Sequence, residues 1–187
     1  LLDDKDIARP DLNHRVMEQI SQMDELVQYQ LKRAMMGQQG LQKDQTELKP
    51  AIDSFSRLLS KVYSDKDVNL GYRFNHKLKL PINRNDLMEL LGNLLENAYR
   101  FCISEVRVCV DEHDDCYMIR IEDDGPGVCE EMREAIFQRG IRADQLNPGQ
   151  GIGLSVCHEI VESYQGTIHV ETASIEGAAF VIRMPKH

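Results

Sequence analysis

Alternating glycines directly before an apolar helical segment constrain this chain more than any other feature. Gly149, Gly151 and Gly153 form a G-x-G-x-G pattern, and residues 152–164 have helical periodicity. Glycines let successive N–H groups point into one concavity, and a helix start adds a positive dipole, so the pattern is suited to binding phosphate oxygens. The spacing is not the dinucleotide G-x-G-x-x-G, and no Gly-Lys dipeptide exists for a P-loop. Both common nucleotide folds are therefore excluded.

Composition limits the kind of phosphate compound that the chain could bind. With 22 lysines and arginines against 31 aspartates and glutamates, the formal charge is -9. Coating a nucleic acid needs a basic face, so that role is excluded. A glycine cradle needs no bulk positive charge and remains compatible with an acidic chain. The 42% hydrophobic and 28% charged residues are typical of a globular domain and exclude general disorder.

A second glycine-containing segment follows a predicted strand. Asp123-Asp124-Gly125-Pro126-Gly127 has the form D-x-G-x-G, in which the glycines permit a tight turn and a close approach of backbone to a flat ligand. A carboxylate at the strand end can accept a hydrogen bond from an exocyclic amine such as that of adenine. Taken alone, the same string is also typical of an ordinary turn.

A third segment places polar residues along one face of a leucine-rich helix. These residues recur every three or four positions and are Glu89, Asn93, Glu96, Asn97 and Arg100. An asparagine carbonyl is a suitable ligand for a hard cation such as Mg²⁺. Taken alone, such a stripe is usually the solvated face of a helix.

Periodicity along the chain predicts the fold class. We expect strands at residues 46–48, 68–74, 77–80, 104–110, 117–122, 167–172 and 178–184, and helices at 50–63, 85–101, 130–137 and 152–164. Residues 77–80 are expected to pair with 68–74. Adjacent strands joined by hairpins disfavour a regular parallel array. We predict an α/β (α+β) two-layer sandwich, with a mixed, mostly antiparallel sheet covered on one face by helices.

The N-terminal part of the chain is expected to be an appendage. Apolar residues at steps of three and four predict a coiled-coil-type helix over residues 12–36, which glycines then interrupt. Such a helix is either folded back on the domain or half of a helical hairpin in a dimeric bundle. We divide the chain into residues 1–40 and a compact domain over 41–187.

The cysteines and the apolar runs indicate the cellular compartment in which the chain is expected. The five cysteines have no C-x-x-C spacing, and we expect reduced, mostly buried thiols of a cytosolic protein; they are Cys102, Cys109, Cys116, Cys129 and Cys157. No apolar run approaches the roughly 20 residues of a membrane span. The first residue is Leu1 rather than Met, so we expect a fragment of a longer protein.

Taken in order, these segments resemble the Bergerat-type ATP-binding fold of sensor histidine kinases, type II topoisomerases, Hsp90 chaperones and mismatch-repair ATPases. The matching positions are Asn93 and Asn97 for its N box, Asp123-Gly125-Gly127 for G1, Ile136-Phe137 for the F box and Gly149-Gly151-Gly153 for G2. The histidine kinase branch is the most similar, because the helix at 12–36 looks like the second helix of its phosphotransfer hairpin. Strings at 48–50, 61–63, 122–128, 136–140 and 147–151 are similar to one enterobacterial subgroup.

The resemblance implies a set of site residues, with ATP and Mg²⁺ as cofactors. Asp123 would hold the adenine amine, Gly127 would leave room for the ring, and Asn93 would bind the metal. The residues implied for binding the nucleotide are Asn97, Phe101, Asp123, Gly125, Gly127, Arg142, Gln150, Gly151, Gly153 and Leu154. Those implied for catalysis are Asn93, Arg100 and Glu89. Glu89 stands where topoisomerases have a water-activating Glu, and in a kinase we expect it to be structural or auxiliary.

Several positions depart from the subgroup's pattern. Arg100 replaces a Lys, which keeps the positive charge but substitutes a planar guanidinium for a compact ammonium group. Phe101 replaces a Tyr and loses a hydroxyl, although it can still stack near the base. Asn147 replaces an Arg, so one cation of the loop at 138–150, which we expect to be a lid over the phosphates, is missing.

The phosphoacceptor motif of the resembled kinases is absent from this sequence. That motif is His, an acidic residue, two further residues, then Thr or Ser and Pro, and none of the six histidines has this context. The implied substrate is a histidine on a helix outside this sequence. The implied partners are a like subunit bound through the N-terminal helix and a response regulator, with no nucleic acid and no membrane contact by this fragment. The implied location is the cytoplasmic portion of an inner-membrane sensor.

Two rival functions remain open from the sequence. One is an ATP-driven conformational clamp of the chaperone or mismatch-repair type, disfavoured because those proteins need further domains and lack the N-terminal coiled stripe. The other is a non-catalytic module that only dimerises or docks a partner, which Asn147 and the missing histidine motif favour.

Overall fold

The computed structural model describes residues 45–139 and 152–186. The predicted helix at 12–36 and the whole N-terminal division at 1–40 lie outside these residues. So does nearly all of the predicted lid, together with three predicted site residues, Arg142, Gln150 and Gly151.

Three helices cover one side of the domain. Helix α1 spans Leu48–Val62, α2 spans Arg84–Phe101 and α3 spans Gly153–Ser163. Helix α2 begins where the sequence favours a cap, because the Asn83 side chain accepts a hydrogen bond from the Asp86 N–H at 2.9 Å. Its leucines at 87, 90, 91, 94 and 95 are buried, which leaves the polar stripe on the opposite face.

The main sheet has five strands in the order β2-β4-β5-β7-β6. The strands are β2 (Asn69–Arg73), β4 (Glu105–Glu112), β5 (Cys116–Asp123), β6 (Thr167–Thr172) and β7 (Ala178–Pro185). The β2–β4 pair is parallel, and the other three pairs are antiparallel. This confirms the predicted mixed, mostly antiparallel sheet and both predicted hairpins.

One predicted strand pairing is wrong. Strand β3 (Lys79–Leu80) pairs with β1 (Thr46–Glu47) and not with β2. The Leu78 carbonyl also accepts the Leu48 N–H at 3.1 Å, so this segment follows the start of α1. Leu78, Leu80 and Ile82 are all buried there. Burial of these alternating apolar side chains therefore outweighs the tendency of neighbouring strands to pair.

The predicted helix at 130–137 is also wrong in detail. The structure has two 3₁₀ helices, Glu130–Met132 and Ala135–Phe137, held by bonds of the 3₁₀ type such as Gln138 N–H to Ala135 O at 2.9 Å. Between them, the Arg133 guanidinium donates to the Val128 carbonyl at 3.3 Å and to Thr172 Oγ1 at 3.0 Å. These anchors hold the segment in two short turns instead of one helix.

The two faces of the sheet differ in chemistry. Val108, Ile121 and Phe180 are buried on the face against which α2 and α3 pack. The opposite face carries Arg107 and Arg120 among its polar residues and contains a cavity of about 540 Å³. Alternation of buried and exposed residues along β4 and β5 thus matches a sheet covered on one side.

Candidate nucleotide site

Asp123 is a buried carboxylate at the end of β5. Only 2% of its surface is exposed, and burial raises the pKa of its carboxyl. Oδ1 accepts the N–H groups of Gly125 at 2.9 Å and Ala178 at 3.4 Å. Both hydrogen bonds from described residues end on this one oxygen. Since no fully buried side-chain polar atom of the described residues lacks a partner, Oδ2 keeps a small exposed area, at which it can accept a bond from a ligand.

Two glycines beside Asp123 allow the backbone to pack with no side chain between. A Cβ on Gly125 would lie 2.4 Å from the Phe101 carbonyl oxygen, and one on Gly177 would lie 2.1 Å from the Asp123 carbonyl oxygen. Neither position has room for a methyl group without displacement of backbone. Gly127 has φ +72°, in the left-handed region that favours glycine. The D-x-G-x-G segment therefore packs directly against the end of α2 and the turn before β7.

Gly177 is a site residue that the sequence analysis missed. It lies in the turn that joins β6 to β7, where a glycine predicts only a hairpin. The neighbouring Ala178 and Ala179 are small as well, and Ala178 donates its N–H to Asp123. A run of small residues in the last hairpin was the only available signal that this turn packs against another segment.

The polar stripe of α2 meets the start of α3 at Asn93. A Cβ on Gly153 would lie 3.0 Å from Asn93 Oδ1, so the amide and the first residue of α3 are in close contact. Glu89 and Asn97 lie one turn to either side on the same helix face, and both are half-buried. The structure thus brings together Asn93 and Gly153, which the sequence analysis predicted for the metal and the phosphates.

The start of α3 has hydrogen-bond donors that the helix itself does not use. Its N-cap residue, Ile152, provides no side-chain cap, and the first hydrogen bond of the helix runs from the Val156 N–H to the Ile152 carbonyl at 3.0 Å. The N–H groups of Gly153 and Leu154 come before that bond and have no partner within the helix. The start of the helix, beside Asn93, gives this end of the site a positive dipole.

Arg100 and Phe101 end α2 in different settings. The Arg100 guanidinium donates to Glu96 Oε1 at 2.6 Å, with 30% of its side chain exposed. An exposed pair at this spacing is worth about 0.3–0.5 kcal/mol, so a phosphate could displace Glu96 at little cost. Phe101 is half-buried, and its carbonyl contacts Gly125. It lies where a base held by Asp123 could contact the ring.

These groups form a site with two ends along α2. Asn93 and Phe101 are eight residues apart on one helix, a distance of about 12 Å along its axis. Among residues 45–139 and 152–186, no group of three or more His, Cys, Asp or Glu side chains could hold a metal. A metal beside Asn93 would therefore be coordinated by the amide oxygen and by oxygens of a ligand.

Comparison with known proteins identifies the family. Residues 82–187, more than half of the chain, match the family described as histidine kinase-, DNA gyrase B- and HSP90-like ATPase. The chain belongs to this family. The matched region begins just before α2 and runs to the last residue, so it contains every described residue of the site. The predicted membership is confirmed.

The similar proteins within the ATPase family are sensor kinases. The chain is 44% identical over 170 residues to the two-component sensor PhoQ of Pseudomonas aeruginosa, covering 90% of this chain and 38% of that protein. It is 38% identical over 164 residues to the sensor protein PhoQ of Escherichia coli, covering 87% and 34%. This chain thus spans between a third and two fifths of the length of these relatives. Both relatives are named PhoQ, and PhoQ-type sensor kinases are the subgroup that the strings in the sequence predicted.

Solved structures confirm the fold. The mycobacterial sensor histidine kinase MprB matches with a TM-score of 0.66 at 22% identity, covering 76% of this chain and 97% of that chain. Full-length ShkA in complex with AMPPNP matches with a TM-score of 0.67 at 19% identity, covering 98% and 40%. The predicted sandwich is the fold of a histidine kinase ATP-binding domain. No helix among the described residues is both long and apolar enough to cross a bilayer.

Proposed function

We propose that this chain is the ATP-binding kinase domain of a two-component sensor and transfers the γ-phosphate of ATP to a histidine. One observation carries the proposal. Asp123 is buried with Oδ2 still partly exposed, its neighbour Gly125 contacts Phe101, and Asn93 lies about two turns before Phe101 on the same helix. A carboxylate beside one end of this stretch of helix and an amide oxygen at the other suit a ligand with a base at one end and phosphates at the other.

At the base end, Asp123 accepts the exocyclic amine of adenine. The two backbone N–H groups on Oδ1 fix the carboxylate, so Oδ2 is already oriented when the nucleotide binds. Gly125 and Gly127 keep side chains away from the ring plane, and Phe101 contacts the base. Specificity follows because a buried acceptor without a donor is costly, which disfavours bases that lack an amine at this position.

At the phosphate end, the chain's own groups suit a magnesium nucleotide. Asn93 offers a hard amide oxygen, and contact with Gly153 limits how far that side chain can rotate. Bound Mg²⁺ would neutralise charge on the phosphate oxygens. The N–H groups at the start of α3 would hold phosphate oxygens, with Gly151, Gly153, Leu154 and Gln150 as the proposed cradle and Asn97 beside it.

The remaining polar residues assist the transfer. We assign Arg100 and Arg142 to the charge that develops on the phosphoryl oxygens. Arg100 could turn from Glu96 to a phosphate oxygen, because an i,i+4 pair of partly exposed side chains contributes little. Glu89 is assigned an auxiliary role next to Asn93, since it lies on the same helix face. The base that prepares the acceptor histidine belongs to the acceptor helix.

The parent protein supplies the other participants. The proposed acceptor is a histidine on a helix that precedes residue 12, and the proposed next acceptor is an aspartate of a PhoP-like response regulator. We infer that the parent is a homodimer joined through the helix at 12–36. The chain is then the cytoplasmic portion of an inner-membrane sensor, and it binds ATP and Mg²⁺ without contacting nucleic acid or the membrane itself.

A transfer experiment tests the proposed function. A longer chain that includes the upstream acceptor helix is incubated with ATP labelled at the γ-phosphate and Mg²⁺. We expect label on the protein that is lost in acid and retained in base, as a phosphohistidine is, and no label when Asn93 is replaced by Ala. Steady release of phosphate without labelled protein would contradict the proposal and support the conformational clamp. A Gly71→Ala variant is the control, because an added Cβ there would meet its nearest atom, on the Arg107 side chain, at an ordinary contact distance of 3.8 Å.

A further inference from the structure

The turn between α2 and β4 is held from two sides by charged groups to which the proposed nucleotide chemistry gives no role. This turn comprises Phe101–Ser104, and the groups are Lys66 and Asp124. Lys66 lies between α1 and β2, and Asp124 follows Asp123 at the end of β5. Each binds the turn through several hydrogen bonds, and we call the two residues the turn anchors.

Lys66 binds the carboxyl end of α2. Its ammonium Nζ donates to the carbonyl oxygens of Tyr99 at 3.1 Å, Arg100 at 2.7 Å and Cys102 at 3.1 Å. The last carbonyls of a helix have no partners within the helix, and a cation there also opposes the helix dipole. All three donor positions of the ammonium are used on one turn of backbone. Lys66 therefore fixes the backbone on both sides of Phe101.

Asp124 binds the other side of the same turn. Its carboxylate accepts the Ile103 N–H at 2.8 Å, the Ser104 N–H at 3.0 Å and the Ser104 hydroxyl at 2.8 Å. These donors and the neighbouring backbone amides lower the pKa of Asp124 to about 2, against the effect of partial burial. The Asp124 N–H donates to the Glu105 carbonyl at 3.2 Å, which ties the residue to β4 as well.

The anchored turn contacts the base end of the site. The Phe101 carbonyl oxygen is the atom that a Cβ on Gly125 would meet at 2.4 Å. Gly125 in turn donates its N–H to Asp123. The carbonyl groups flanking Phe101 bind Lys66, and the two residues after Cys102 bind Asp124. A shift of the turn would move Phe101 relative to Asp123.

We infer that Lys66 and Asp124 are positioning residues that hold Phe101 and Gly125 at the separation the base requires. The inference rests on the proposed nucleotide site, and neither residue contacts the nucleotide. Adjacent aspartates of the D-x-G-x-G segment then have different tasks. Asp123 directs an oxygen toward the ligand, whereas Asp124 directs its carboxylate away from it and into the protein.

The test separates the base end from the phosphate end in the full chain. The dissociation constant of ATP is measured by calorimetry with and without Mg²⁺ for Lys66→Met and Asp124→Asn. For each variant we expect the dissociation constants with and without Mg²⁺ to rise about ten-fold, equivalent to ~1.4 kcal/mol. The ratio of the constant without Mg²⁺ to the constant with Mg²⁺ should stay at the wild-type value. An unchanged ratio places the effect away from the phosphate end, and urea denaturation of the same variants distinguishes it from general damage to the fold, which would also scale both constants equally. Lys66→Arg keeps a charged donor and should restore most of the affinity.

Matched controls use charges that lie away from the turn. Lys61→Met removes an exposed lysine in the last turn of α1, and Asp114→Asn removes an exposed aspartate in the β4–β5 turn. Both should leave the two dissociation constants within two-fold of wild type. Affinities equally unaffected in Lys66→Met and Asp124→Asn would overturn the inference. So would a changed Mg²⁺ ratio, because it would place the effect at the phosphate end.

A second measurement does not depend on nucleotide. Amide hydrogen exchange of Ile103 and Ser104 is followed in the free protein, since both N–H groups bind Asp124. Exchange should accelerate about ten-fold in Asp124→Asn, and to a smaller extent in Ser104→Ala, which loses one bond from an exposed side chain. Unchanged exchange would overturn the anchoring. If the wild type bound no ATP, the proposed function would fail, and this measurement would still decide whether the turn is anchored.

Discussion

The two ends of the candidate site differ in whether backbone or side-chain atoms make the close contacts. At the base end, Asp123, Gly125 and Gly177 are in backbone contact, with glycine positions where a Cβ would lie 2.1–2.4 Å from a carbonyl oxygen. At the phosphate end, the contact is between the side chain of Asn93 and Gly153, and the corresponding distance is 3.0 Å. The first end lies where turns pack together at the end of the sheet, and the second lies between two helices.

This contrast indicates where a substitution can change nucleotide binding without changing the stability of the fold. A substitution at the base end displaces backbone, so it should affect stability and binding together. A substitution at the phosphate end removes or crowds a side chain that is half-buried, so it should change binding with little cost in stability.

Replacing Gly177 by Ala should cause the largest loss. The added methyl would lie 2.1 Å from the Asp123 carbonyl oxygen and 2.5 Å from the Gly125 nitrogen, and neither backbone atom can move alone. We expect the free energy of unfolding to fall by about 3 kcal/mol and nucleotide affinity to fall with it. Urea denaturation and calorimetry of the same preparation measure the two effects. Gly71→Ala, with its nearest atom at 3.8 Å, should change neither, and an equally stable Gly177→Ala would refute the close packing.

Replacing Asn93 by Ala should remove the effect of Mg²⁺ and leave the base end intact. We expect ATP to bind with the same dissociation constant with and without Mg²⁺, as the variant lacks the amide oxygen that would hold the metal. The loss relative to wild-type Mg²⁺–ATP should be about ten-fold or more, or at least ~1.4 kcal/mol. Adenosine affinity should not change. A variant that kept a strong Mg²⁺ dependence would show that another residue holds the metal.

Replacing Gly153 by Ala should have a smaller effect at the same end. The methyl would lie 3.0 Å from Asn93 Oδ1, which is a flexible side-chain atom that can shift by a few tenths of an ångström. We expect a two- to five-fold rise in the dissociation constant of Mg²⁺–ATP, about 0.4–1 kcal/mol, with stability unchanged. Fluorescence titration with a labelled nucleotide is sensitive enough to detect it. A loss as large as that of Gly177→Ala would mean that the two ends do not differ in rigidity.

The smallest effect should appear in the pH dependence of stability. The pKa of Asp124 is lowered to about 2 in the folded protein, below the ordinary value of 3.8. Its ionised form is therefore favoured by folding, and the contribution is fully present above pH 4 and lost as the pH falls through 2. After solvent screening we expect this contribution to the free energy of unfolding to be about 0.4 kcal/mol. Unfolding of wild type and Asp124→Asn, compared between pH 7 and 2, should converge at low pH. A constant difference would contradict this assignment.

Local sequence patterns were sufficient to predict most of the architecture. Leucines at helical spacing predicted α2, and alternating residues predicted the hairpin of β4 and β5. The pairing of β3 could not be obtained in this way. Its partner β1 lies more than thirty residues earlier, and the choice depends on where Leu80 is buried. Pairings over such distances are decided by packing of the whole domain and leave no trace in local periodicity.

Candidate site residues could be selected from the sequence where an unusual residue type interrupts a regular pattern. A D-x-G-x-G after a strand and an asparagine among leucines are visible in the sequence. The structure places Asn93 in the middle of α2 and the segment that follows Asp123 against the last residue of that helix. Gly177 and the turn anchors were missed. A lysine that binds three carbonyls resembles any surface lysine until the helix end beside it is located. The roles of all the predicted site residues stay predictions, and Arg142, Gln150 and Gly151 also lie outside the described residues.

The most direct test of the nucleotide site compares wild type with Asp123→Asn. The Asn carbonyl can still accept the N–H groups of Gly125 and Ala178, while its NH₂ would face the adenine amine and repel it. Because burial raises the pKa of Asp123, its ionised form is disfavoured by folding, and this stability cost grows as pH rises above the ordinary value. The uncharged variant should therefore be at least as stable as wild type at pH 7.

Calorimetric titration with a non-hydrolysable ATP analogue and Mg²⁺ decides the matter. We predict that wild type binds the analogue and that Asp123→Asn binds it about 100-fold more weakly, a loss of ~2.7 kcal/mol. Equal binding by the two proteins would contradict the assignment of Asp123 to the base. Absence of binding by wild type at millimolar analogue would contradict the nucleotide site itself and leave the non-catalytic docking module as the function.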